Sequence, residues 1–266
     1  MELCPELGLT IPVGKDSMSM RTAWQSEEGE NKSVTAPMSV VITAFSPVSD
    51  VRKTVTPQLR TDLGESQLLF IDLAKGKQRL GASILAQVFN ELGKDPADVE
   101  SAQTLKHFFN AMQECLANDW IVAYHDRSDG GLLTTLAEMS FAGRCGIDVD
   151  VSKFAASDNN TALLSALFNE ELGGVVQVLS KNIKSVQNCF AKYNLTDALF
   201  ELGHVTQQES FKIRFGDVAV YENTRAELEK CWAETSFRIQ SLRDNSEAAQ
   251  QEFDQISKDD SGLSVY

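Results

Sequence analysis

Residues 120–139 constrain the fold more than any other stretch, because they specify a strand, a turn and a helix in direct succession. Trp120-Ile121-Val122-Ala123 is a strand-like apolar run, and Leu132-Leu133-Thr134-Thr135-Leu136-Ala137-Glu138-Met139 has helical apolar spacing. Between them lies Tyr124-His125-Asp126-Arg127-Ser128-Asp129-Gly130-Gly131. A strand that ends in acidic and hydroxyl side chains opens into the crevice where α/β proteins place ligands. Two glycines let a backbone approach closely, and the helix start offers free N–H groups to an anion. Asp126 or Asp129 could hold a hard cation such as Mg²⁺, which takes oxygen ligands. The competing reading is that Ser128 or Asp129 simply caps the helix and Gly130-Gly131 make the turn.

The rest of the chain supplies layers for that unit to pack into. Two strand-like runs, Leu9–Val13 and Pro37–Phe45, precede a polar connection from Val51 to about Ser66. Leu68–Leu73 reads as a strand, followed by a helix opened by Gly81-Ala82-Ser83, carrying Ile84, Leu85, Val88, Phe89 and Leu92, and stopped by Gly93. Leu105, Phe108, Phe109, Met112 and Leu116 give an amphipathic helix. After the central unit, Gly146–Val151 alternates as a strand, and Leu163 to Phe168 begins a helix expected to run through 169–172 to Gly173-Gly174. A strand at Val175–Leu179, a helix with Ile183, Val186, Phe190 and Tyr193, and strands at 199–205 and 211–215 complete the pattern. Arg225 to Trp232 is helix-like, and the acidic tail beyond it reads as a linker or a surface-clinging extension. The order predicts an α+β fold of mixed layers, with helices packed on one face of a mixed sheet.

Charge and cysteines exclude several function classes. A net charge of −14 over 266 residues leaves no basic stripe for nucleic acid. Five dispersed cysteines without a C-x-x-C pair argue for reduced thiols, a cytoplasmic setting and no zinc site. No apolar run is long enough to span a membrane. The Gly14-Lys15 loop fails the P-loop pattern, since Leu9 replaces its first glycine and Asp16 follows the lysine, although Lys15 remains a candidate phosphate contact.

Three blocks together, Pro12–Met20, His125–Leu132 and Phe168–Gly173, resemble the long, glutaminase-fused phosphoribosylformylglycinamidine synthases. The resemblance covers essentially the whole chain. It implies an ATP- and glutamine-dependent ligase of purine biosynthesis, converting formylglycinamide ribonucleotide to the amidine. The synthetase core of that family is similar to aminoimidazole ribonucleotide synthetase, with two halves, each an ATP-binding domain followed by an α/β domain. By the same resemblance, residues 1–50 are the tail of the second ATP-binding domain, 51–221 its C-terminal α/β domain, and 222–266 a linker toward a glutaminase domain.

The implied cofactors are ATP or ADP with Mg²⁺. Asp126 matches a metal ligand and Ser128 a nucleotide contact, while Lys15, Asp16, Ser17, Asp129, Gly130 and Gly131 are possible supporting residues. No catalytic residue is expected in this segment, whose site would be the structural one of two related nucleotide sites, and the segment alone is expected to be inactive. The implied partners are the remaining domains of the parent chain and the small ribonucleotide substrate. Two alternatives are a non-catalytic scaffold and a related small-molecule kinase, similar to the selenophosphate or thiamine-phosphate kinases.

Overall fold

The computed structural model describes residues 3–15, 20–36, 39–48 and 50–258. They fall into two units, Met1–Arg52 and Lys53–Tyr266. The first holds a short helix, α1 (Leu3–Leu7), and an antiparallel hairpin of β1 (Arg21–Gln25) and β2 (Asn31–Thr35). Gly29, at φ +82°, gives the connecting turn its left-handed residue. The strands expected at 9–13 and 37–45 are not formed among their described residues, and Pro37 and Met38 lie outside those. Val41 and Phe45 are 92% and 94% exposed, so these apolar runs bury nothing here that would favour pairing.

The second unit is built on a seven-stranded sheet in the order β4-β6-β3-β7-β5-β8-β9. Its strands are β3 (Ser66–Asp72), β4 (Ile121–Asp126), β5 (Gly146–Asp150), β6 (Gly173–Leu179), β7 (Leu199–Thr206), β8 (Ser210–Phe215) and β9 (Val218–Thr224). Every neighbouring pair is antiparallel except β5 and β8, which run parallel. The fold is α+β. Its helices are α2 (Ile84–Val88), α3 (Ala102–Ala117), α4 (Gly131–Gly143), α5 (Asn160–Phe168), α6 (Ile183–Lys192), α7 (Arg225–Arg243) and α8 (Ser246–Gln255).

These helices cover both faces, not the single face the element order suggested. Leu68 and Phe70 pack with Leu132, Leu136 and Met139 of α4 and Leu167 of α5. Their strand neighbours Leu69 and Ile71 pack with Met112 and Cys115 of α3 and Val186 and Phe190 of α6. Successive strand residues point to opposite faces, so β3 is buried from both sides. An unbroken apolar run such as Leu68–Ile71 is the pattern expected of a strand buried on both faces.

Two helices are shorter than their patterns imply. Helix α2 ends at Val88, because Asn90 takes a left-handed φ of +56° and Val88, Phe89 and Leu92 are at least 70% exposed. Without an apolar face to bury, a short helix has little to sustain it. Helix α5 ends at Phe168, and Asn169 is already extended, so 169–172 form a loop.

Beyond β9, α7 extends to Arg243 and α8 folds back on it through stacked Phe237 and Phe253 rings 4.4 Å apart. Arg225, wholly buried, pairs with Glu209 and Glu229 and donates to the Ile256 carbonyl at 3.0 Å, tying the hairpin to the sheet. Among the described residues no helix is long and apolar enough to cross a membrane.

Candidate functional site

Strands β3 and β4 both run antiparallel to β6, so their carboxyl ends lie together at one end of the sheet. Asp72 faces Gly173 and Asp126 faces Gly174 across β6. Directly after β4, the Arg127 N–H donates to the Gly173 carbonyl at 2.9 Å, and the Arg127 side chain turns inward. Its guanidinium donates to the carbonyls of Glu171 (2.5 Å) and Leu172 (3.0 Å) and to Asp72 Oδ1 (2.8 Å), and lies 5.0 Å from the Phe70 ring centroid. Burial pushes the Arg127 guanidinium below its ordinary value, against the opposing charges of Asp72 and Glu171. Asp72 receives further N–H bonds from Ala74 and Gly76.

A second buried ion pair sits beside it. The Glu171 carboxylate, 0% exposed, is held by Arg79 Nε at 2.6 Å and Nη2 at 2.7 Å, a two-pronged grip that raises the Arg79 pKa. Both acids and both arginines are satisfied, which a buried charge requires. They make a floor beside the turn that follows β4, tied to the segment before β6.

Above that floor Asp126, Ser128 and Asp129 are exposed. The Tyr124 hydroxyl donates to Asp126 Oδ1, and the Thr135 hydroxyl donates to the Asp126 carbonyl at 3.1 Å. The turn closes with the Gly131 N–H on the Ser128 carbonyl at 2.9 Å. Gly130 and Gly131 both have positive φ, +81° and +70°. Only Gly131 is also pressed against backbone, with the carbonyl oxygens of Leu167 and Asn169 2.7 Å from where a Cβ would be. Of the alternative reading, the glycine turn is formed but the side-chain cap is not: the residue before α4 is Gly130, which makes no side-chain cap, and its N–H goes to Glu170 Oε1 at 2.9 Å. The Ser128 and Asp129 side chains are thus not spent on capping the helix.

Burial, and secondarily the Asp126 carboxylate, raise the Tyr124 hydroxyl above the ordinary tyrosine value. Below about pH 10 the phenol is protonated folded or unfolded, and its contribution is fully present; above it the unfolded chain ionises first, so stability falls as pH rises. Tyr124→Phe is expected to flatten that alkaline decline in denaturation midpoint. Parallel declines in the two proteins would refute it.

The structure brings Asp126, Ser128, Asp129, Gly130 and Gly131 to one strand end. Lys15 belongs to the other unit, and Asp16 and Ser17 lie outside the described residues. Among the described residues no group of three or more His, Cys, Asp or Glu side chains could hold a metal. Asp126 is a hard oxygen donor of the kind Mg²⁺ takes, with one oxygen engaged by Tyr124, and fits as a single ligand. A cavity of about 760 Å³ lies elsewhere, at the opposite end of β3 among Arg60, Ser66, Lys153 and His204.

The sequence marked Asn169, Glu170 and Glu171 only as part of the Phe168–Gly173 block and gave them no place in the site, and it gave Asp72 and Arg79 none either. Three polar residues in a row between an apolar helix and Gly173-Gly174 were the available signal for the first three. Nothing in the sequence pairs Arg79 with them.

Comparison with known proteins places the chain in a family. Residues 73–216 match the family model of the AIR synthase related protein, C-terminal domain, and residues 1–47 match the FGAR-AT PurM_N-like domain. Among solved structures, Thermotoga maritima PurL complexed with FGAR is 16% identical with a TM-score of 0.54, over 67% of this chain and 30% of that one. The same organism's PurL complexed with ATP is 13% identical with a TM-score of 0.50, over 73% and 28%. These likenesses are of fold, and the chain spans less than a third of the length of either structure.

Proposed function

Because the chain belongs to the AIR synthase related family through its C-terminal domain, we propose that it is a segment of a phosphoribosylformylglycinamidine synthase. In this reading the parent enzyme joins formylglycinamide ribonucleotide and glutamine-derived ammonia at the expense of ATP, in the cytoplasm, and the segment alone does no chemistry. Residues 1–50 are the end of an ATP-binding domain, 51–221 the synthetase α/β domain, and 222–266 the approach to a glutaminase. The observation that carries the proposal is the exposed Asp126–Ser128 pair at a strand end, freed from capping and set on the Arg127–Asp72 and Arg79–Glu171 ion pairs.

The proposed roles follow from the chemistry of the side chains. Asp126 offers a carboxylate to Mg²⁺, oriented by the Tyr124 hydroxyl, and Ser128 offers a hydroxyl to a nucleotide phosphate. Asp129, Gly130 and Gly131 shape the turn, and Lys15, Asp16 and Ser17 are supporting candidates by resemblance to a substrate-proximal loop. Bound Mg²⁺ would neutralise phosphate charge. Since Asp126 is one ligand only, the site is composite and its other ligands come from the ATP-binding domain. By resemblance this is the nucleotide site that holds the core together.

Titration with Mg·ADP tests this directly, comparing the 266-residue chain with a version extended upstream through the whole ATP-binding domain. Binding by the extended protein alone supports the composite site. Binding by neither would leave a scaffold domain. In the full-length protein, Asp126→Asn is expected to lower the nucleotide retained through purification and the melting temperature, with a smaller effect on turnover. Unchanged nucleotide content would rule out the role given to Asp126.

A further inference from the structure

Residues 169–172 link α5 to β6 and reach several other segments. The buried Asn169 amide donates back to the Ser165 and Ala166 carbonyls, Glu171 holds Arg79, and the Leu172 carbonyl accepts from the Leu73 N–H at 3.0 Å. Glu170 does something different. A single oxygen, Oε1, accepts from the Gly130 N–H at 2.9 Å and from the Ile84 N–H at 2.8 Å. Both donors stand at helix starts, where backbone N–H groups lack intrahelical acceptors, and a carboxylate there also meets the positive end of each peptide array. Gly130 lies in the turn that presents Ser128 and Asp129, while Ile84 opens α2, a five-residue helix with an exposed apolar side.

We propose that Glu170 is a positioning residue: it locks the Ser128–Gly131 turn to the start of α2, so that the candidate nucleotide site and the 79–93 segment order together. The coupling stands on the two hydrogen bonds, and its consequence for nucleotide rests on the reading given above. Arg79 and Ser83 strengthen the arrangement from the α2 side. Arg79 is gripped by the adjacent Glu171, and Ser83 caps α2 by accepting from the Ala86 N–H while donating to the Leu80 carbonyl. Neighbouring acids on one short loop therefore hold the same segment at two points.

Amide hydrogen exchange on the 266-residue chain, without nucleotide, tests the coupling by itself. In Glu170→Ala the amides of Gly130 and Ile84 should both exchange about tenfold faster, while Val176 in β6 keeps its protection. Glu170→Gln retains an acceptor oxygen and should keep both amides protected. Faster exchange at only one of the two, or at neither, would overturn the coupling. The second arm uses the full-length protein and Mg·ADP. Glu170→Ala should weaken binding about tenfold and Glu170→Gln should restore most of it. Equal affinity in wild type and Glu170→Ala would overturn the positioning role. Absence of binding by the wild type would remove that role together with the nucleotide reading, and the exchange arm would still decide the coupling.

Discussion

Arg127→Ala should destabilise the second unit by about 3–5 kcal/mol, the cost of leaving a buried acid without its partner. Asp72 keeps only its bonds from Ala74 and Gly76, the Glu171 carbonyl loses its donor, the Leu172 carbonyl keeps only the Leu73 N–H, and the Phe70 ring loses the guanidinium over it. For a domain of this size that corresponds to a fall in Tm of roughly 10 °C. Arg127→Lys should recover little, since an ammonium cannot reach two carbonyls and a carboxylate in the same planar arrangement. Adding Asp72→Asn to Arg127→Ala should recover part of the loss, because the stranded charge goes with it. Thermal or urea denaturation measures all of these. A loss below about 1 kcal/mol in Arg127→Ala would mean that the ion pair is not the floor of the site.

The second large effect is expected at Gly131. An alanine there must hold φ near +70° and place its Cβ 2.7 Å from the Leu167 and Asn169 oxygens and the Phe168 carbon, all of them backbone. A left-handed residue costs about 1–2 kcal/mol and forced overpacking about 1–3 kcal/mol more, so roughly 2–5 kcal/mol is expected from Gly131→Ala. Gly216→Ala separates the two causes, since Gly216 has φ +60° but nothing within 4 Å of its would-be Cβ. That control should lose only about 1–2 kcal/mol. Equal losses at the two positions would show that the close contact with the α5–β6 loop contributes nothing.

The strand–turn–helix around Asp126 was legible because its signals are local: an apolar run, two glycines, then helical spacing. For the same reason α3, α6 and the strands from β5 to β8 follow their patterns. What the sequence hid is non-local. Glu170 and Glu171 look like the solvated end of a helix until Arg79, Gly130 and Ile84 are folded against them. The hairpin of β1 and β2 is fully exposed and mostly polar, so it carries no alternating apolar face to read. Length misled at α2, where helical spacing continues past Asn90 but the side chains have nothing to pack on. The two-sided burial of β3 was written in Leu68–Ile71 as an unbroken apolar run, yet element order alone suggested a single helical layer.

The place of β3 between β6 and β7 also sets a schedule for biosynthesis. Leu68 pairs with Gln177 on one side and Gly203 on the other, both made long after it. At about 5–20 residues per second, translation from the end of β3 to the end of β6, the first of its neighbours to be made, takes roughly 5–21 s. Throughout that interval a strand with an unbroken apolar run has been made and neither of its neighbours is complete. Its first protection on the ribosome must therefore come from outside the sheet, from early docking of α3 or from a chaperone.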